Sequence, residues 1–354
     1  MPGALRAAPA GAPPRVREVG AEDARWDGFV AGAEGSTFCH LAGWRQVMAE
    51  VMGHECRYLA AEEEDGSWAG VLPLVRVRGR PFGHYLLSMP FLNDGGPLGS
   101  AQARRLLAAR AVDEARRMGV DLLEMRVREP LAGEGLAESQ RKVTVLLPLP
   151  DTAEELWEKG FRAKLRSQIK RPQKEGLTTR FGADQVAPFY EVFARNMRDL
   201  GTPVLPRAFF ERIARVFPEQ AVFAVVYSGD TPVAAGCGFA WRGEFEITWA
   251  SALREFNSVS PNMLLYWALM ERVIGQGVKT FNFGRCTPGA GTHRFKLQWG
   301  GSDLPLPWAQ WSASGVAATP SPDRPVFRLA TAAWQRLPVP VANLVGPVLA
   351  RRLP

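Results

Sequence analysis

The sequence predicts an α+β protein built from two passes of one plan. Three observations carry this. Apolar runs of strand length alternate with segments of helical period. Glycine-rich and acidic turns separate neighbouring strand runs, as antiparallel meanders require. The order helix, meander, helix, strand occurs twice, with the join around 146–151, which is an arrangement of helices packed on mostly antiparallel sheets.

In the first pass a helix over 44–52 leads into a strand over 56–61. An acidic turn at 62–67 and a second strand over 68–77 follow. A third strand over 85–89 runs into the turn Asn93-Asp94-Gly95-Gly96-Pro97. The helix over 102–118 sets Leu106, Leu107, Ala111, Ala115 and Met118 on one side. Gly119 suits its end, because glycine accepts the left-handed conformation of a C-cap, and a strand over 121–127 completes the pass. The second pass has helices over 154–174, 186–200 and 206–216. Strands over 221–227, 233–241 and 244–251 are separated by Ser228-Gly229-Asp230 and Arg242-Gly243. A helix over 261–274 and a strand over 280–283 close it. The expected division is a disordered leader at 1–15, domains at 16–147 and 148–313, and a tail at 314–354. The tail mixes apolar residues with a few arginines, as an amphipathic segment does. Pro338 and Pro340 forbid one long helix there.

With 354 residues, 46% of them hydrophobic and 22% charged, the chain has room for two soluble globular domains. Its net charge of +7 points to an anionic partner, whether nucleic acid, phosphate-bearing substrate or membrane surface. Cys39, Cys56, Cys237 and Cys286 have neither CxxC pairing nor metal-site spacing, so reduced thiols and no metal are expected. No run of about 18 apolar residues occurs, which argues against a spanning helix. The leader lacks the apolar core of a signal peptide. A cytoplasmic protein, free or at the inner face of the membrane, is the expected setting.

The most informative stretch runs from Phe281 to Gly300. A short apolar run ends in a segment broken by Gly and Pro that carries Arg285, His293, Arg294 and Lys296. It reads as a loop, and cations gathered on a loop suit an anion or a developing oxyanion. A second basic segment, 159–180, holds eight basic residues against the single acid Glu175 and could grip phosphates, although no interleaved aromatics offer base stacking.

These motifs together resemble the FemAB-like branch of the GNAT acyltransferase superfamily, in particular the group associated with exosortase and exopolysaccharide systems. The resemblance rests on Phe38-Cys39-His40-Leu41-Ala42-Gly43-Trp44, Gly70-Val71-Leu72-Pro73-Leu74, Asp94-Gly95-Gly96-Pro97-Leu98 and Leu200-Gly201-Thr202-Pro203. Asn282-Phe283-Gly284-Arg285 and Gly291-Thr292-His293-Arg294-Phe295-Lys296 complete it. It implies two tandem GNAT-like domains with a cleft between them. It also implies transfer of an acyl or aminoacyl group to an amine or hydroxyl of a cell-envelope or exopolysaccharide precursor. The donor is then a co-substrate, aminoacyl-tRNA or acyl-CoA, with no tightly bound cofactor, and tRNA is a candidate partner. Two departures matter. Residues 254–262 lack the glycines with which acetyl-CoA-binding members hold pyrophosphate. Val47 stands near where the peptidoglycan branch tends to have lysine.

On this resemblance Lys296 stabilises the oxyanion, and His40 or Asp94 takes the acceptor's proton. Phe295, Arg285, Arg294, His293, Trp44, Glu246, Trp249 and Asn262 are candidates for substrate binding. Each has a plainer reading: a structural histidine at His40, a turn former at Asp94, and a helix cap at Asn262. Alternatives to the transferase are a non-catalytic envelope or exopolysaccharide assembly factor and an acetyl-CoA acetyltransferase with a divergent loop. Sequence leaves donor, acceptor, tail–membrane contact and oligomeric state open.

Overall fold

The structure, a computed structural model, describes residues 12–79, 82–315 and 325–353, apart from the side chains of 325–329. The expected leader lies almost wholly outside the described residues. Arg15, assigned to it, already belongs to a strand.

The first half contributes β1 (Arg15–Val19), β2 (Glu55–Glu62), β3 (Trp68–Gly79), β4 (Gly83–Leu87), β5 (Leu98–Gly99), β6 (Leu122–Met125) and β7 (Ala137–Ser139). The second contributes β8 (Val143–Pro148), β9 (Thr178–Phe181), β10 (Ala221–Ser228), β11 (Thr231–Trp241), β12 (Glu244–Ala252), β13 (Thr280–Cys286) and β14 (Ser302–Pro305). A last strand, β15 (Trp308–Ser312), follows. One sheet runs β1-β2-β3-β4-β6-β15-β7, with β5 on β3, and the other β14-β8-β13-β12-β11-β10-β9.

Read outward from its first strand, each sheet has the same order. An antiparallel meander (β2–β4, β10–β12) is followed by a helix (Ala101–Met118, Pro261–Ile274) and a parallel strand. The parallel steps are β4 beside β6 and β12 beside β13. The duplicated plan is therefore present. Helix Ala101–Met118 is capped at both ends as its sequence demands: Ser100 accepts from the Ala103 N–H, and Gly119 is left-handed at φ 61°.

The halves exchange their outer strands, which corrects the expected boundaries. β8, expected to straddle the join, pairs with β13 of the second sheet, and β15, expected in the second domain, returns to β6 and β7 of the first. The free edge of each parallel strand is thus covered by chain from outside its own pass, a way to remove an exposed edge. The expected helix over 154–174 is also interrupted. A turn at Ala153–Glu155 and a π-helical turn at Leu156–Gly160 precede helix Ala163–Lys174. The break lets Phe161 turn inward against Trp267 and Trp299.

One apolar cluster spans both halves, joining Trp44, Met48 and Tyr58 to Phe189, Phe209 and Phe239. Phe38 stacks on Phe239 at 4.3 Å between ring centres. The tail forms helices Pro325–Trp334 and Val339–Ala350, interrupted at the prolines. It is tied down where Arg198 donates to the Leu337 carbonyl at 2.8 Å. Among the described residues no helix is long and apolar enough to cross a membrane.

Candidate active site between the two halves

A cleft of about 490 Å³ opens between the halves. The first half supplies the loop Thr37–His40 together with Asp94, Gly96 and Arg128; the second supplies Phe239, Trp241, Glu244 and Glu246. Its volume is in the range of sites for small ligands.

A buried polar network forms the floor. Arg128 Nε donates to Asp94 Oδ2 at 2.8 Å, and its two terminal nitrogens donate to Glu244 at 2.8 and 2.7 Å. Asn93 Nδ2 donates to Glu246 Oε1 at 2.7 Å, and Asn282 Nδ2 donates to Glu244 Oε1 at 2.8 Å and Glu246 Oε2 at 3.2 Å. Thr144 donates to Asn282 Oδ1, which also accepts from the Gly284 N–H at 2.8 Å. Three carboxylates share one guanidinium. Arg128 is consequently held well above its ordinary pKa by Asp94, Glu244 and Glu246, despite its burial. Glu246 is 1% exposed, and burial pushes its carboxyl up to about 7; the guanidinium opposes that rise, while Glu244 adds to it. Glu244 stays below its usual range, because bonding to Arg128 outweighs desolvation.

Glu246 also marks where the parallel strands part. β12 and β13 pair only at Glu244–Thr280, Phe245–Phe281 and Glu246–Asn282. From Ile247 onward the peptide groups of β12 on that side have no strand partner, and Thr248 lies in a bulge opposite Cys237 and Gly238. Gly284 comes close there: a Cβ on it would lie 2.9 Å from the Ile247 carbonyl, at a φ of 69° that favours glycine.

The 281–300 segment differs from expectation. β13 continues to Cys286, and Gly291–Leu297 is a short helix, so His293, Arg294 and Lys296 are helical rather than loop residues. Lys296 is 8% exposed, and its ammonium donates to the carbonyls of Gly284 at 2.6 Å and Arg285 at 3.0 Å. Burial lowers its pKa to about 8, with Cys286 and Glu246 opposing. The amine is thus tied to the backbone at the end of β13, and Lys296 is not among the residues lining the cleft. Arg285 and Arg126 both lie over the Trp308 ring, at 5.1 and 4.8 Å. Burial, with Arg126 nearby, lowers Arg285 to about 10. The cleft is lined by five carboxylates and the three guanidiniums of Arg104, Arg128 and Arg242.

Other predicted residues serve the fold. His40 Nε2 donates to the Gly96 carbonyl at 3.1 Å and its Nδ1 accepts from the Thr37 N–H at 3.1 Å, which fixes the neutral tautomer. Burial lowers its pKa, and neither nitrogen is left to take a substrate proton. His293 accepts from the Gly289 N–H at 3.0 Å and donates to Asp303 at 2.9 Å, and Arg294 folds back on the Gly289 carbonyl at 3.0 Å. Trp44 is fully buried against Phe217 and Phe239. Trp249 meets Phe209 and Phe210 edge-on, and Phe295 packs on Tyr266. Asn262 lies in the first turn of helix Pro261–Ile274. Most of the basic residues of 159–180 are exposed, but Arg166 turns back to cap the Trp157, Glu158 and Phe161 carbonyls. Asp94 does line the cleft, paired with Arg128. Sequence reading missed Arg128, Glu244 and Asn93. Arg126-Val127-Arg128-Glu129 at a strand end was the available signal.

With this geometry in place, comparison with known proteins is informative. Residues 159–297 match the acetyltransferase (GNAT) domain. No curated protein matches the sequence. Among solved structures, FemX aligns over 90% of this chain and 100% of its own, with a TM-score of 0.64 and 13% identity. L-PGS from Bacillus licheniformis aligns over 97% and 99%, with a TM-score of 0.54 and 15% identity. A tandem GNAT protein from the clavulanic acid biosynthesis pathway aligns over 86% and 99%, with a TM-score of 0.50 and 12% identity. The chain thus has the tandem GNAT fold that its resemblance to FemAB-like proteins implies.

Proposed function

We propose that the cleft joins an amine acceptor to an activated acyl group, with Glu246 as general base. The observation that carries this reading is a carboxyl held at about 7 in the wall of the cleft, next to the gap between β12 and β13. A base poised near neutral pH accepts a proton most usefully there. The surplus of five carboxylates over the guanidiniums of Arg104, Arg128 and Arg242 favours an acceptor that arrives as a cation, hence an amine. The cations at the end of β13, Arg285 above all, suit the anionic part of the donor.

In the reaction the amine nitrogen attacks the donor carbonyl carbon and Glu246 takes the ammonium proton before or during attack. The carbonyl oxygen gains negative charge, and N–H groups of β12 beyond Glu246, where β13 no longer pairs with it, stabilise it. Lys296, still charged at neutral pH, adds positive potential at the same gap. The new C–N bond forms, the C–S or C–O bond to the carrier breaks, and the leaving thiolate or alkoxide takes the second proton that the nitrogen sheds on becoming an amide, while the first passes from Glu246 to solvent.

The donor is an acyl-CoA or aminoacyl-tRNA used as co-substrate, and the acceptor an amine on a cell-envelope or exopolysaccharide precursor. The plain sequence at 254–262, with Ser260 at φ 56° and no glycine, supports a donor other than acetyl-CoA. The test is to incubate the purified chain with acetyl-CoA, longer acyl-CoAs or charged tRNA and a panel of amino sugars and peptidyl amines, following amide formation by mass spectrometry. Amide formation that disappears in Glu246→Gln supports the reading. Saccharide binding with no turnover of any donor overturns it in favour of an assembly factor.

A further inference from the structure

The tail helix Val339–Ala350 is amphipathic the wrong way round for a soluble protein. Its inward positions are the small residues Ala342, Gly346 and Ala350, all buried. Its outward stripe, at the i, i+3, i+4, i+7 spacing of one helical face, is Val341, Leu344, Val345 and Val348. Leu344 is 76% exposed. The inward face is built for close approach: a Cβ on Gly346 would lie 2.8 Å from Val204 Cγ1 and 2.9 Å from the Val204 nitrogen. An exposed apolar stripe on a docked helix marks an interaction surface.

The C-terminal end of that helix opens onto a second cavity, of about 600 Å³, which Val348 lines together with Arg351, Arg352, Arg76, Arg78 and His54. Four guanidinium groups face it against one carboxylate, that of Glu55, which pairs with Arg76 at 3.0 Å and Arg78 at 3.5 Å. Arg351 donates to the Val51 carbonyl at 3.0 Å and so is held at the rim. His54 is 7% exposed, and its Nε2 has no hydrogen-bond partner among the described residues. A buried, unpartnered nitrogen in an arginine-lined cavity is the kind of group an anionic oxygen satisfies.

We propose that this corner of the molecule is a membrane-interface site, in which helix Val339–Ala350 lies in an anionic bilayer and the arginine-lined cavity takes a lipid phosphate. The charge pattern selects this occupant. A second copy of the chain on the same face would set arginines against arginines, whereas phospholipid supplies apolar chains beside phosphate, as the protein surface requires. The site shares no lining residue with the cleft and does not depend on the chemistry proposed there.

Flotation of the full chain with vesicles of phosphatidylcholine, alone or mixed with phosphatidylglycerol, tests this. Binding is expected only to the mixed vesicles and should weaken with added salt. Removing an interfacial arginine should weaken binding about fivefold, so Arg351→Gln with Arg352→Gln together should cost about 25-fold. Leu344→Ser should weaken it about tenfold or more by withdrawing apolar area. Both variants alter exposed groups and should unfold at the same denaturant concentration as the parent. Equal binding to both vesicle types, or to neither, overturns the proposal. So does saturation by soluble glycerol phosphate without vesicle binding, which would make the cavity a small-anion site. A dimer in sedimentation that Leu344→Ser converts to monomer, without vesicle binding, would reassign the stripe to self-association.

Discussion

Replacing Glu246 by Gln separates catalysis from stability. Glu246 lies at about 7 in the folded protein against an ordinary 4.5. Each pKa unit is worth about 1.4 kcal/mol, so ionising this carboxyl inside the fold costs about 3 kcal/mol relative to the unfolded chain. The sign follows from the direction. Because the folded value is the higher one, the stability contribution is complete below about 4.5 and is lost as pH rises through about 7. Glutamine carries no such loss. It retains one acceptor oxygen for Asn93, and Asn282 keeps its bond to Glu244 at 2.8 Å, so the lost hydrogen bond costs about 1 kcal/mol. Glu246→Gln should therefore be about 2 kcal/mol more stable than the parent at pH 9 and slightly less stable at pH 4.5, measured by denaturant unfolding. Over the same range kcat should fall by about 100- to 10,000-fold, the usual contribution of a general base. The parent kcat/KM should rise with pH up to about 7, and the variant should lack that acid limb. A variant less stable than the parent at pH 9, or one with undiminished turnover, would refute the reasoning.

Lys296 lies at about 8, so its ammonium contributes an alkaline limb near that pH, which Lys296→Arg should remove. Lys296→Met should lower kcat by about 100-fold or more while circular dichroism stays unchanged, and retained activity would remove the residue from the mechanism. Arg128→Gln leaves Asp94 and Glu244 buried without their cation and should cost about 3–5 kcal/mol in unfolding experiments. In whatever protein remains folded, the acid limb of the rate profile should move above 7, since Arg128 holds Glu246 down. Gly346→Val should lift helix Val339–Ala350 off Val204 and expose it to limited proteolysis, leaving the body of the protein resistant.

The candidate site was partly legible in the sequence. Lys296, Glu246, Asp94 and Arg285 were all singled out, and three of them lie within one electrostatic neighbourhood around the end of β13: Glu246 and Arg285 each act on the Lys296 ammonium. Their roles were not legible. His40 looked like a base because histidine titrates near neutrality, yet only the packed loop reveals that Thr37 and Gly96 occupy both of its nitrogens. Glu246 looked like one polar residue on a strand. Its proton affinity comes from burial, which the guanidinium of Arg128, more than a hundred positions away, only partly offsets.

The chain's own pattern determined the local elements. Alternating apolar runs set the meanders, Ser100 and Gly119 bounded a helix, Pro338 interrupted the tail, and repetition of the plan disclosed the duplication. These are short-range effects, decided by neighbours within a few residues. Tertiary structure alone decided the exchange of β8 and β15 between the sheets, the fate of 291–297 as a helix, and the meeting of Arg128 with Glu244 across the cleft. Strand pairing at an edge and the desolvation of a carboxyl depend on partners more than a hundred positions away, and local residue order carries no record of that distance.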